Sequence, residues 1–156
     1  MSREFLVLWA GRHQRRDWED LCADYRRRIE RTSTIRDQMV KVKGSSDDPG
    51  RLKAEGEALL AALPDPSWPV VLDPRGKTIS SETFAGELAR LHDEWPHPIA
   101  FVIGSDAGLD AAVVGKARMR LSFGPMIFGH ELARLVLYEQ LYRALCIQRG
   151  IKYHRR

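Results

Sequence analysis

The sequence predicts an α/β domain built on a parallel sheet with helices on both faces. Three observations carry this. Short apolar runs and amphipathic stretches alternate about five times along the chain, the order expected of repeated strand–helix units. The run "IAFVI" (99–103) has no polar alternation, so both of its faces must be covered. The length, 156 residues, fits one domain with a real core, and no internal repeat, low-complexity segment or domain boundary divides residues 1–156.

Each element follows from its pattern. "EFLVLWA" (4–10) is a compact apolar strand ending at Gly11. Trp18, Leu21, Cys22, Tyr25 and Ile29 recur at helical spacing, which makes 15–31 an amphipathic helix with Arg26, Arg27 and Arg28 largely outside. "IRDQMVKVK" (35–43) partly alternates and reads as a strand, followed by the loop "GSSDDPG" (44–50). The next helix starts near Pro49 and presents Leu52, Leu59, Leu60 and Leu63 to the core. "VVLD" (70–73) is a short buried strand and "PRGK" a turn. Ser80 or Ser81 caps a helix to about His92, with Phe84, Leu88 and Leu91 facing in. A short helix runs from Asp110 to about Lys116, and "RMRLSF" (118–123) is the last strand. "GPMIFG" (124–129) is a glycine-bounded loop, unusually apolar for a loop, and 130–148 is a long helix. Apolar residues nearly encircle that helix. The sheet covers one side, and a second copy of the chain is the expected cover for the other.

Composition narrows the function classes. The chain is 44% hydrophobic and 29% charged, and no apolar run approaches the roughly 20 residues of a membrane span. The opening "MSREFLVLWAGRHQRRD" is a poor signal peptide, so a cytoplasmic location is expected. Cys22 and Cys146 match no metal spacing and read as buried small hydrophobes in a reducing compartment. No metal is expected. The net charge of +4 is modest, but basic residues bunch at 11–17, 25–31 and 148–156. Such clusters suit a phosphate backbone and also suit plain solvated helix faces.

Three strand ends share one feature. "LDPRGK" (72–77), "IGSDAG" (103–108) and "SFGPMIFG" (122–129) are glycine-containing turns at the carboxyl ends of strands, where open parallel sheets bind ligands. None is a dinucleotide fingerprint or a Walker loop. Singly, each could be a simple chain reversal; together they point to one ligand. Pro125, Met126, Ile127 and Phe128 suit a flat uncharged ring better than a triphosphate, and an adenosine carrying a methionine sulfonium fits.

The stretches "VVLDPRGK", "FVIGSDAGL", "LSFGPMIFGHELARLVLYEQLYRA" and "RGIKYHR" together resemble the ribosomal RNA large-subunit methyltransferase H family of the SPOUT superfamily. The resemblance runs over nearly the whole chain and is weakest at 30–50. It implies a C-terminal deep trefoil knot, which no periodicity argument would suggest. It also implies S-adenosyl-L-methionine as cofactor, a homodimer, and methylation of N3 of a pseudouridine in helix 69 of 23S rRNA on the assembled ribosome. By motif, Leu72, Gly104, Ser105 and the loop Gly124, Pro125, Met126, Ile127, Phe128 and Gly129 would hold the cofactor. His130 and Arg134 match the head of the knot helix. Tyr153, His154 and Arg155 match a terminal motif that lies near the methyl group and the target base. Of these, His154 can accept a proton near neutrality, Arg155 can hold developing negative charge, and Tyr153 can stack or hydrogen-bond.

Two departures are expected to loosen cofactor binding. Ser105 stands where the family usually has a second glycine, and its side chain would narrow the approach. Gly129 stands where proline usually stiffens the loop exit. Glu139 and Gln140 read as hydrogen-bonding partners across the dimer interface, and Asp73 as a turn residue rather than a ribose ligand. The alternatives are a SPOUT methyltransferase for another RNA nucleotide and a non-catalytic ribosome-binding knot protein.

Overall fold

In a computed structural model, residues 4–11, 15–42 and 48–153 are described. The elements run β1 (Glu4–Ala10), α1 (Arg16–Glu30), β2 (Thr34–Val40), α2 (Arg51–Ala62), β3 (Trp68–Thr78), α3 (Ser81–Glu94), β4 (Ile99–Ile103), α4 (Ala111–Lys116), β5 (Met119–Ser122) and α5 (His130–Gln148). The five strands form one sheet in the order β2-β1-β4-β3-β5. Every pairing is parallel. β4 inserts between β1 and β3, so the chain reverses its direction of travel across the sheet there. In open α/β sheets the crevice at such a reversal is the usual ligand site.

The apolar strands bury both faces. Along β1, Phe5, Val7 and Trp9 join one core with Ile29, Leu88 and Leu141. Leu6, Leu8 and Ala10 join the other with Leu59 and Val113. This alternation is the pleat of a strand with side chains pointing to opposite faces. It explains why β1 and β4 read as unbroken apolar runs. β2 sits at the edge and is correspondingly half exposed. α1, α3 and α5 cover the first face, and α2 and α4 the second.

α5 is packed by the sheet, by α1 and by α3. Leu137, Tyr138, Leu141, Ala144 and Leu145 are buried within the single chain, and of its large apolar residues Leu132 alone is exposed. The encircling apolar pattern is therefore met chiefly inside one protomer and does not by itself require a second one.

Two elements differ from expectation. β3 continues through "PRGK" to Thr78, with a register jump between Leu72 and Lys77, so Asp73–Gly76 loops out between two segments that both pair with β5. α2 buries Arg51, Glu55 and Gly56 beside Leu59, whereas Leu52, Leu60 and Leu63 are only partly covered. An ion pair, Arg51 Nε to Glu55 Oε1 at 2.8 Å, lets charged residues take that inner face. The loop expected at 44–50 lies mostly outside the described residues. Ser80 caps α3, accepting from the Thr83 amide at 3.0 Å. Both cysteines are free and buried. Burial pushes the Cys22 thiol up to about 11, as suits an inert packing residue. Among the described residues, no helix is long and apolar enough to cross a membrane.

Candidate functional site

The carboxyl ends of β3, β4 and β5 converge on a cavity of about 640 Å³, within the size range of small-molecule sites. Leu72, Gly104, Ser105 and the whole loop from Gly124 to Gly129 line it, so the structure brings every cofactor-binding candidate to one place. His130, at the start of α5, lines it too. Among the described residues, no group of three or more His, Cys, Asp or Glu is placed to hold a metal ion.

The turns that form the cavity are tied to each other. Asp73 is nearly buried and has both oxygens engaged: Oδ1 accepts from the Arg75 amide at 3.0 Å and Oδ2 from Arg120 Nη2 at 2.7 Å. Burial raises its pKa, but the bonds from Arg120 and the Arg75 amide outweigh burial and hold the carboxyl below its usual range. Asp73 is thus a turn residue, as its position suggested. Ser122, buried at the end of β5, was not singled out by the sequence. Its hydroxyl donates toward the carbonyls of Pro74 and Gly124 and accepts from the Gly124 amide, each at 3.0 Å. It joins the β3 exit to the β5 exit, and nothing in its sequence neighbourhood signals that role. Gly124 adopts φ +117°, a region closed to most side chains.

Gly104 allows the backbone to double back closely. A Cβ there would lie 2.3 Å from the Gly108 carbonyl oxygen and 2.7 Å from its carbon. The loop cannot keep its shape around that atom. Gly104→Ala is expected to weaken ligand binding at this cavity about 100-fold, by analogy with other close-packed backbone strains; titration calorimetry would measure it.

The mouth of the cavity is apolar and open. Met126 is 78% exposed and Ile127 85%, while the rings of Phe123 and Phe128 stack with centroids 6.5 Å apart. Neighbouring exposed apolar side chains at a cleft mark a surface that awaits a partner.

Tyr153, the one described member of the C-terminal motif, lies elsewhere. Tyr153 packs edge-on against Tyr142, with centroids 4.7 Å apart. Its hydroxyl lies 3.4 Å from the Tyr25 hydroxyl and donates to Glu139 Oε1 at 3.3 Å. Burial, the Tyr25 bond and the charge of Glu139 all push its phenol well above the usual range, so it stays protonated. Tyr142 lies twelve residues along α5 from His130, roughly 18 Å at 1.5 Å per residue. The structure therefore does not bring Tyr153 to the cavity of its own chain. His154 and Arg155 lie outside the described residues.

Glu139 and Gln140, expected as interface groups, find hydrogen-bonding partners within the chain. Glu139 accepts from Arg143 Nε at 2.9 Å and from Gln140 Nε2 at 2.8 Å, and Gln140 Oε1 accepts from Ser81 at 2.6 Å. Arg134, 3% exposed, is a structural hub. Its guanidinium lies 3.7 Å from the centroid of the Trp9 ring, donates to Asp37 at 2.7 Å and pairs with Glu19. Of the basic side chains on α1, Arg26 pairs with Asp37 at 2.9 Å and Arg28 with Asp24 at 2.9 Å, leaving Arg15, Arg16 and Arg27 the more exposed.

Comparisons with known proteins agree with this geometry. A family model described as "Predicted SPOUT methyltransferase" matches residues 4–154. A relative from Nitratidesulfovibrio vulgaris (strain DP4), named ribosomal RNA large subunit methyltransferase H, is 39% identical over 97% of this chain and 98% of its own length. Another of that name, from Dinoroseobacter shibae, is 42% identical over 87% and 88%. A solved structure of a probable methyltransferase from Bordetella pertussis Tohama I superposes with TM-score 0.53 at 15% identity, over 92% of this chain and 95% of that one. A probable methylase family protein from Haemophilus influenzae Rd KW20 gives 0.56 at 15% identity, over 99% and 71%. These two show the shared fold. With strands, turns and cavity in the expected places, the chain belongs to the ribosomal RNA large subunit methyltransferase H family of SPOUT methyltransferases, whose fold carries the C-terminal trefoil knot.

Proposed function

We propose that this chain is a cytoplasmic, homodimeric enzyme that methylates N3 of a pseudouridine in helix 69 of 23S rRNA on the assembled ribosome, using S-adenosyl-L-methionine. The observation that carries the reading is the cavity itself. Three strand-end turns, one with an exposed apolar lip, surround a space suited to an adenosine and a short aliphatic chain. The cradle's shape depends on Gly104, where any side chain would collide with the Gly108 backbone and force the turn beside the cavity open.

When bound, S-adenosyl-L-methionine supplies an electrophilic methyl group that N3 takes as the C–S bond breaks, the electron pair staying on sulfur. The chain's own residues have three tasks. Backbone at Leu72, Gly104 and Ser105, with the loop 124–129, holds the donor in line with the attacking nitrogen, and alignment of this kind supplies up to roughly 7–11 kcal/mol. The N3 proton must leave. His154 is placed in sequence to receive it, while Arg155 steadies the ring anion. Tyr153, a neutral phenol held by Tyr25, Tyr142 and Glu139, anchors the chain immediately before these two residues in sequence. Because the anchor stands roughly 18 Å along α5 from its own cavity, the tail serves the cavity of the partner subunit. Arg15, Arg16 and Arg27 face phosphate.

The decisive experiment is transfer of labelled methyl from S-adenosyl-L-methionine to ribosomes with and without the target pseudouridine. Label in 23S rRNA only when that nucleoside is present is the expected result. Label elsewhere would reassign the substrate, and no label with either ribosome would remove the activity.

A further inference from the structure

We propose that the buried Arg51–Glu55 pair of α2 positions the cavity loop after β4 through the Ser105 hydroxyl, which makes Glu55 a positioning residue for methyl-donor binding. The proposal rests on the donor reading of the cavity. α2 lies on the far side of that loop and contributes no residue to the cavity wall. Glu55 and Arg51 are nevertheless 3% and 5% exposed, an expensive place for two charges unless every hydrogen-bonding site is used.

The bonds run in one direction. Arg51 Nη1 donates to the Val42 carbonyl at 2.8 Å and Arg51 Nε to Glu55 Oε1 at 2.8 Å. The other carboxylate oxygen, Glu55 Oε2, accepts from Ser105 Oγ at 2.7 Å. A carboxylate only accepts, so the Ser105 proton is committed to α2 and the hydroxyl points away from the ligand space. Ser105 Oγ itself accepts from the Ala107 amide at 3.2 Å, and the Ser105 carbonyl accepts from the Gly108 amide at 2.9 Å. Ser105 thus closes the turn 105–108 with both its backbone and its side chain, and Glu55 fixes the side chain. All four residues of that turn line the cavity.

This reverses the expectation that Ser105 narrows the approach and loosens cofactor binding. Its hydroxyl is spent on the loop's shape, and the ligand meets the backbone. A loop held in its binding shape raises the competent fraction of the free protein, and apparent affinity scales with that fraction.

The test titrates S-adenosyl-L-methionine and S-adenosyl-L-homocysteine calorimetrically into the full chain and its Ser105→Ala, Ser105→Thr, Glu55→Gln and Ser105→Ala/Glu55→Gln variants. Hydrogen exchange at the Ala107 and Gly108 amides is followed without ligand. Ser105→Ala and Glu55→Gln should each raise Kd about tenfold and speed exchange at those two amides, the double variant should be no worse than either single, and Ser105→Thr should rescue. Wild-type affinity and unchanged exchange in Ser105→Ala would overturn the proposal, as would additive losses in the double variant. If the unaltered chain takes up neither ligand, the donor reading falls, and exchange at Ala107 and Gly108 still decides whether the relay holds the loop.

Discussion

A chain lacking residues 154–156 will bind the methyl donor as the full chain does and transfer methyl groups at least about 10³-fold more slowly, because alignment and charge stabilisation at the reacting nitrogen are lost together. The deletion spares Tyr153, so the contacts with Tyr25, Tyr142 and Glu139 that order the chain end remain. The sharper result comes from mixing. Gly104→Ala weakens donor binding about 100-fold but keeps the tail; the truncated chain keeps the cavity but lacks the tail. With donor held near the wild-type Kd, either variant alone is nearly inactive. After subunit exchange, half of the dimers are mixed, and each mixed dimer unites one intact cavity with one intact tail across the two-fold axis, restoring about a quarter of wild-type activity. A mixture that stays inactive would mean that tail and cavity act within one chain, against the separation that α5 imposes.

Arg134→Met will cost about 3–5 kcal/mol of folding stability, read from the urea unfolding midpoint, because it removes the buried cation that the partly buried Asp37 and Glu19 share. Asp37 accepts from Tyr138 at 2.7 Å as well as from Arg134 and Arg26, and Glu19 on α1 loses its partner outright. Burial alone would raise the Asp37 carboxyl. The bond from Tyr138 and the charges of Arg134 and Arg26 outweigh burial and hold it below the usual carboxylate range. A depressed folded-state value adds stability that is fully present above the unfolded value, about 3.9, and is lost as pH falls through the folded value. The wild-type chain should therefore show an acid-side decline in stability that is shallower in Arg134→Met. Equal slopes would show that Asp37 does not depend on Arg134.

The elements that were legible in the sequence are those where one force dominates. β4 is apolar at every position because both faces are covered, and its ends, Ile99 and Ile103, fall where the run stops. α5 begins after Gly129 and ends at Gln148, as the glycine-bounded loop and the apolar repeat indicated. The three cavity turns were legible because glycine after an apolar run marks a strand end in a parallel sheet. The polar face of α2 was not legible, since a reading that counts only apolar residues assigns Arg51 and Glu55 to solvent. Their spacing of four was the available signal. The bond from Ser105 to Glu55 spans fifty residues and has no local trace. The outward loop in β3 was hidden because "PRGK" has the composition of a turn, while pairing with β5 resumes only at Lys77. The in-chain partners of Glu139 and Gln140 were missed for a related reason: Ser81 comes from a separate helix, α3, and Arg143 is a charged residue one turn along α5 that an apolar count passes over.

α5 has one further consequence. Nineteen residues make it about 28 Å long at 1.5 Å per residue, with the donor chamber at its start and the anchored tyrosine near its end. If each tail completes the other protomer's chamber, two such rods must lie head to foot, and their length becomes a ruler between the two reaction centres.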